Sequence, residues 1–157
     1  MTKTSIKKSP FGVFSPSGEG RMSLETLYAE CRDWLNALSE RENAPLGELK
    51  RPVFGSGCGN ARMMLIGEAP GREETEQGAP FVGKAGKTLT AFLNAAGFSR
   101  NDLFITNAVK YRPFKLNEKG GKSNRTPSRA EMLALRELLI CEIALMSPRI
   151  VVTLGNS

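Results

Sequence analysis

The sequence predicts an α/β fold: a three-layer α/β/α sandwich with a central parallel sheet. Three short apolar runs, at 62–66, 103–106 and 150–154, are typical of buried strands. Helical patterns separate them, and the resulting βαβαβ order implies parallel strands joined by right-handed crossovers. Because no helix follows the last strand, we expect the sheet to be incomplete at the C-terminus.

The N-terminal part divides into an arm, a helix and a connection. Residues 1–21 hold basic residues among Ser, Pro and Gly without an apolar period, which predicts a flexible basic arm, with residues 22–157 forming the α/β domain. From 23 to 38 apolar residues recur at helical spacing and Ser23 is placed to cap the first turn, so we predict a helix whose apolar stripe belongs to the core. Residues 39–60 connect it to the first strand.

Two further helices complete the predicted order. Apolar residues between Ala85 and Ala96 indicate the first, which Gly97 is suited to end. Ser128 and Glu131 have the spacing of a capping box and open the second, which stops at Pro148.

Length and composition exclude several classes of protein. A chain of 157 residues suits one domain, and no apolar run approaches the roughly 18 residues of a membrane span. We therefore expect a cytoplasmic protein with no membrane partner, and a monomer. The cysteines, Cys31, Cys58 and Cys141, lack the spacing of a disulfide framework or a zinc site.

The positive charge is concentrated in one segment. Between Lys110 and Arg129 the chain has seven basic residues and one acidic residue, Glu118, so this segment accounts for the +6 net charge of the whole chain. A basic loop of this length predicts contacts with the phosphates of a nucleic acid, although half of such segments are only solvated surface.

One stretch carries a family resemblance. A buried strand delivers Glu68 to the carboxyl edge of the sheet, where open α/β sheets bind ligands. The motif Gly67-Glu68-Ala69-Pro70-Gly71, followed by Glu74, Gly78 and Pro80-Phe81-Val82-Gly83, resembles family 4 of the uracil-DNA glycosylase superfamily. The resemblance implies a DNA repair glycosylase that hydrolyses the N-glycosidic bond of uracil flipped out of DNA and leaves an abasic site.

The resemblance also implies roles for particular residues. Glu68 and Glu74 are the candidate catalytic carboxylates, since a carboxylate suits water activation and stabilises a cationic sugar; which of them directs the water stays open. Four residues are expected at the base, where Phe81 stacks and Asn107 reads the uracil edge: Gly67, Ala69, Phe81 and Asn107. Three basic residues are expected to contact DNA: Lys110, Arg112 and Arg125.

The sequence departs from the family in two respects. Family 4 carries four cysteines that hold an iron-sulfur cluster, but here Trp34 and Tyr111 stand at two of those positions and only Cys31 and Cys141 match. Because a four-iron cluster requires four ligands, we expect no metal and no cofactor. The family also has a His-Pro-Ser segment whose histidine belongs to the active site, and this sequence contains no histidine.

Other interpretations remain. The departures favour a degenerate, non-catalytic nucleic-acid-binding module as the alternative, and an enzyme acting on free nucleosides is a third hypothesis. The stretch Gly83-Lys84-Ala85-Gly86-Lys87-Thr88 resembles the end of a phosphate-binding Walker loop, but the required first glycine is missing. The preferred base and the preference for single or double strands stay open.

Overall fold

A four-stranded sheet forms the centre of the computed structural model, which describes residues 22–155. The strands are β1 (Ser56–Gly57), β2 (Met63–Gly67), β3 (Phe104–Asn107) and β6 (Ile150–Thr153), in the order β1-β3-β2-β6. β2 pairs in parallel with both β3 and β6, as predicted, and the short β1 adds an antiparallel edge. The predicted arm, 1–21, lies outside the described residues.

Four α-helices accompany the sheet: α1 (Leu24–Ser39), α2 (Arg72–Gln77), α3 (Lys84–Ala95) and α4 (Arg129–Met146). Ser23 caps α1, because its hydroxyl accepts a hydrogen bond from the Thr26 amide at 3.1 Å. Ser128 and Glu131 form the predicted capping box at the start of α4. The six-residue α2 was not predicted, since its sequence is almost entirely polar.

The core divides into layers on the two faces of the sheet. Met64 and Ile66 of β2 face one side and pack with Met146 of α4. Leu65, between them, faces the other side and packs with Leu93 of α3. This alternation follows from the two-residue period of a strand, and it confirms the α/β/α sandwich.

The predicted basic loop contains a β-hairpin instead. Strands β4 (Phe114–Leu116) and β5 (Lys122–Asn124) pair antiparallel. The Asn117 side chain closes the turn, because its Oδ1 accepts from the Gly121 amide at 2.7 Å. The segment is therefore a defined element rather than an irregular loop.

Strand β6 lies at an edge of the sheet. Within residues 22–155 no strand pairs with its outer side, and Ile150 and Val151 are 51% and 43% exposed. The expectation of a poorly covered C-terminal edge is thus met in the described part of the chain. In the same part, none of the helices is long and apolar enough to cross a membrane.

Candidate active site

The carboxyl ends of β2 and β3 bring two predicted site residues together. The strands are in register at Gly67 and Asn107, so Glu68 directly follows the residue that pairs with Asn107. The chain after β3 then crosses to β2: the amide of Ala108 donates to the Gly67 carbonyl at 2.8 Å, and the amide of Val109 donates to the Glu68 carbonyl at 2.9 Å. These bonds fix the relative positions of Glu68 and Asn107.

A cleft of about 760 Å³ opens at this edge of the sheet. The walls are the loop after β2, the start of α3 and the residues from β5 to the start of α4. Most of the predicted site residues line it: Glu68, Ala69, Glu74, Phe81, Asn107, Arg112 and Arg125. A cleft of this volume at the carboxyl edge of a parallel sheet is a typical ligand site.

Gly67 is buried next to the cleft, close to two of the base-binding candidates, Phe81 and Asn107. An ideal Cβ atom at Gly67 would collide with the ring of Phe81 and would lie 2.5 Å from Oδ1 of Asn107. Only glycine allows the aromatic ring and the amide to approach the strand this closely. The structure therefore brings Phe81 and Asn107 against one backbone position, as a pocket for a flat polar ring requires.

Phe81 adopts a strained backbone conformation. Its φ angle is 53°, in the left-handed region that a bulky residue rarely occupies. Such strain costs about 1–3 kcal/mol and is concentrated at functional sites. The surrounding contacts hold it: Gly86 lets the first turn of α3 lie against the Phe81 carbonyl, and Arg100 donates from Nη2 to the Pro80 carbonyl at 2.6 Å.

Glu74 is bonded to the backbone on both sides of the cleft. Its Oε2 accepts from the Gly71 amide at 3.1 Å, and its Oε1 accepts from the amides of Val82 at 3.1 Å and Gly83 at 2.8 Å. These bonds join the turn after Glu68 to the segment that carries Phe81. Both carboxylate oxygens of Glu74 are thus engaged in holding the two walls of the cleft.

The prediction for Lys110 requires a correction. Its side chain is completely buried and forms an ion pair with Glu142, which is also completely buried. An ammonium enclosed in the core does not reach a DNA phosphate at the surface. The residue was assigned to the DNA surface because a partner 32 positions away is invisible in the local sequence.

Arg112 and Arg125 line the cleft but have partners within the chain. Arg112, which is 6% exposed, donates from Nε to Oδ1 of Asn124 at 2.7 Å. Arg125 donates to both carboxylate oxygens of Glu131 at 2.7 and 2.8 Å. Burial raises the pKa of Glu131, but its hydrogen bonds from Arg125, the Ser128 backbone and Tyr111 outweigh that effect and lower the pKa to about 2.

A comparison with known families identifies the superfamily of the chain. The model of the family described as Uracil DNA glycosylase superfamily matches residues 54–157, a range that includes the residues lining the cleft. The chain belongs to the uracil-DNA glycosylase superfamily. The superfamily that its motifs resemble is therefore confirmed.

Curated relatives of this chain include three proteins named Type-4 uracil-DNA glycosylase. The chain is 44% identical to the one from Pyrobaculum aerophilum, over 68% of this chain and 50% of the relative. It is 46% identical to the one from Saccharolobus solfataricus, over 68% and 46%, and 40% identical to the one from Thermotoga maritima, over 66% and 50%. The chain thus spans about half the length of the curated relatives it matches.

The residues at the resembled cluster positions do not fit an iron-sulfur cluster. Cys31, Cys141 and Tyr111 lie in one buried apolar cluster, with Trp34 packed against it. Burial raises the pKa of both thiols, that of Cys31 to about 12. The two cysteines supply only half of the four thiolates that a four-iron cluster requires. In residues 22–155 no group of three or more metal-ligating side chains occurs.

Sequence reasoning missed several residues of this uracil-DNA glycosylase superfamily site. Asn124 lines the cleft next to Gly71, and Arg72 and Lys84 place exposed basic side chains at its rim. Arg72 and Lys84 begin helices beside the motif glycines, which was the available signal. Asn124 belongs to the stretch Asn124-Arg125-Thr126-Pro127, which resembles the family segment after Asn107, but its place in the cleft depends on the hairpin.

Proposed function

We propose that this chain is a uracil-DNA glycosylase that hydrolyses the N-glycosidic bond of uracil flipped out of DNA and leaves an abasic site. The observation that carries the proposal is the meeting of Glu68, Phe81 and Asn107 in one cleft. A carboxylate, an aromatic ring and an amide are the groups that this reaction needs around a flipped base. The names of the relatives support the same chemistry.

The proposed division of labour follows from the contacts. Phe81 stacks on the base, and the Asn107 amide offers a donor for uracil O4 and an acceptor for N3–H, which cytosine does not match. Glu68 orients a water and accepts its proton. The water oxygen bonds to the sugar carbon as the bond from that carbon to the base nitrogen breaks, and the base leaves with the electron pair of that bond. Because both oxygens of Glu74 hold backbone amides, we assign the water to Glu68 and give Glu74 a positioning role.

The test is single-turnover excision from uracil-containing oligonucleotides, single- and double-stranded, with alkali cleavage reporting the abasic site. Glu68→Gln should lower the rate by about 100-fold while sparing DNA binding measured by anisotropy. Asn107→Asp should erode discrimination, because a carboxylate lacks the amide donor. Glu30→Gln is the matched control, since this exposed carboxylate on α1 lies outside the cleft lining.

The outcomes separate the hypotheses. Wild-type rates in both variants would remove Glu68 and Asn107 from the proposed chemistry. Binding without excision by the unmodified chain would favour the non-catalytic module. Base release from free nucleosides but not from oligonucleotides would favour the third hypothesis. Thermal melts of each variant exclude misfolding as the cause.

We further propose that DNA contacts come from the cleft rim and the hairpin. Arg72, Lys84 and Lys122 are exposed at the cleft, and Lys115 and Lys119 are exposed on the hairpin segment. Phosphate contacts release counterions, so the logarithm of affinity should fall with that of salt by about 0.9 per contact on duplex DNA. Lys115→Gln with Lys119→Gln should reduce this slope, whereas Arg136→Gln on α4 should not.

The remaining expectations concern cofactor, assembly and location. We propose that the chain works without an iron-sulfur cluster, as a monomer and in the cytoplasm. The presence of only two cysteines, Cys31 and Cys141, in an apolar cluster with Trp34 and Tyr111 supports the first point. Stoichiometric iron and visible absorbance in the purified protein would contradict it, and sedimentation tests the monomer.

A further inference from the structure

We propose that Lys110 and Glu142 form a buried positioning pair that sets the orientation of Asn107. The inference rests on the proposed function, in which Asn107 reads the uracil edge. It gives Lys110 a role in base selection that it exerts from beneath the cleft, without touching DNA or uracil.

The ammonium of Lys110 uses all of its hydrogen-bonding capacity inside the protein. It donates to the Asn107 carbonyl at 2.6 Å, to Oγ1 of Thr106 at 2.8 Å and to Oε2 of Glu142. An ammonium has three protons, so these three acceptors satisfy it completely. Two of the three acceptors belong to the last two residues of β3.

The contact with Asn107 fixes one peptide unit at both ends. Lys110 holds the carbonyl of the peptide that joins Asn107 to Ala108, and the amide of the same peptide donates to the Gly67 carbonyl at 2.8 Å. A planar peptide held at its oxygen and at its nitrogen does not rotate, so the backbone of Asn107 is locked. The Cα–Cβ bond of Asn107 is thereby fixed, and its side chain extends into the space that a Cβ atom at Gly67 would occupy.

Glu142 anchors this lysine to the helical layer. Its carboxylate accepts from the Tyr28 hydroxyl of α1 at 2.6 Å and from Oγ1 of Thr106 at 3.2 Å, in addition to Lys110. The network therefore runs from α1 and α4 through the sheet to the residue at the cleft. No buried side-chain nitrogen or oxygen in residues 22–155 lacks a partner.

Stability alone does not account for the pair. Lys110 and Glu142 are both 0% exposed, and buried ion pairs contribute little net stability compared with apolar residues of similar volume. What an apolar pair would not supply is a donor for the Asn107 carbonyl. We therefore infer that the charge is retained for the geometry at Asn107.

The decisive variant is Lys110→Met combined with Glu142→Gln. It removes both charges, so no unpaired ion is left in the core, and the glutamine keeps an acceptor for Tyr28. The matched control is Tyr28→Phe, which removes a hydrogen bond to the same Glu142 but leaves the contact between Lys110 and Asn107. Thr106→Val is a second test variant. It removes the hydroxyl that accepts from Lys110 and donates to Glu142, and it leaves the direct ion pair in place.

Three measurements report on the position of Asn107: the NMR signals of its side-chain amide, the hydrogen exchange rate of the Ala108 amide, and single-turnover uracil excision. In the double variant we expect shifted or broadened Asn107 signals, faster exchange at Ala108 and a rate lower by about 10- to 100-fold with DNA affinity unchanged. Thr106→Val should change the same quantities less, and Tyr28→Phe should leave them at wild-type values.

The readouts distinguish failure of this inference from failure of the proposed function. Unchanged Asn107 signals and unchanged Ala108 exchange in a folded double variant would overturn the positioning role, whatever the activity. Equal changes in Tyr28→Phe would also overturn it, because they would show a general loosening of the core. If the wild-type chain releases no uracil while the NMR changes occur, the positioning stands and the proposed activity falls. If the double variant does not fold, Thr106→Val decides by the same signals.

Discussion

Two glutamates of α4 hold matching sets of partners in different surroundings. Glu131, in the first turn, accepts from Tyr111 at 2.7 Å and from Arg125. Glu142, three turns later, accepts from Tyr28 and from Lys110. The Arg125 side chain is 25% exposed, whereas the Lys110 side chain is 0% exposed.

The difference shows that similar chemistry serves different purposes at the two ends of one helix. Water reaches Arg125, and Glu131 lies at a helix N-terminus where the backbone amides favour a negative charge, so this cluster tolerates the loss of a partner. The Lys110 and Glu142 side chains are both 0% exposed, so water cannot replace either partner of this ion pair. The first cluster fastens the segment between the hairpin and α4; the second supports the sheet beneath Asn107.

Loss of the cation should therefore cost more at Glu142 than at Glu131. Lys110→Met leaves a buried unpaired carboxylate and should lower the free energy of unfolding by about 3–5 kcal/mol. Arg125→Met should lower it by about 1.5–3 kcal/mol, since Tyr111 and the Ser128 amide still serve Glu131. Urea unfolding of both variants checks this, and equal losses would contradict the comparison.

Acid should act on the Glu131 cluster over a defined range. The pKa of Glu131 is lowered in the folded chain to about 2 from an ordinary value of 4.5, so its contribution to stability is fully present above about 4.5 and is lost as the pH falls towards 2. Glu131→Gln should abolish this part of the acid sensitivity. The measurement is the urea midpoint of wild type and variant at several pH values from about 5 to about 2, the range over which Glu131 takes up its proton. If the urea midpoints of wild type and variant fell in parallel with pH, Glu131 would not be the source of this acid sensitivity.

The two clusters should differ least in the stability that each loses when its tyrosine hydroxyl is removed. Tyr28→Phe and Tyr111→Phe each delete one hydroxyl that donates to a buried carboxylate, and each should cost about 0.5–1.5 kcal/mol. The loss should be greater for Tyr28, because its partner Glu142 is 0% exposed, whereas the Arg125 side chain beside Glu131 is 25% exposed and admits water. Thermal melts of the two variants provide the test, and a larger loss for Tyr111 would reverse the ranking of the clusters.

Local signals explain what the sequence could predict. The caps at Ser23 and Ser128 act within three residues, and the strands of the parallel sheet are compact apolar runs, so the three longer helices and the three parallel strands were predictable. The position of Glu68 at the carboxyl edge of the sheet was predictable for the same reason, because its motif lies within one turn. The family resemblance supplied Phe81 and Asn107, whose convergence depends on strand pairing.

Long-range pairing explains what was missed. Lys110 appeared as one more basic residue until the fold brought Glu142 to it. The hairpin has only Phe114 and Leu116 as apolar residues, too few for a strand pattern, although Asn117 and Gly120 are typical turn residues. Charge and composition are read from each residue alone, whereas the burial of Lys110 depends on the fold bringing Glu142 next to it.

The left-handed backbone of Phe81 has a consequence for attempts to redesign this protein. Glycine or asparagine occupies such a conformation with less strain, so a redesign that scored backbone strain alone would select against the phenylalanine. Such a variant would relieve the strain but lose the ring beside Gly67 and its apolar packing against the layer that contains Leu65. Any thermostabilised version should therefore keep position 81 fixed and seek its gains on exposed surfaces remote from the cleft.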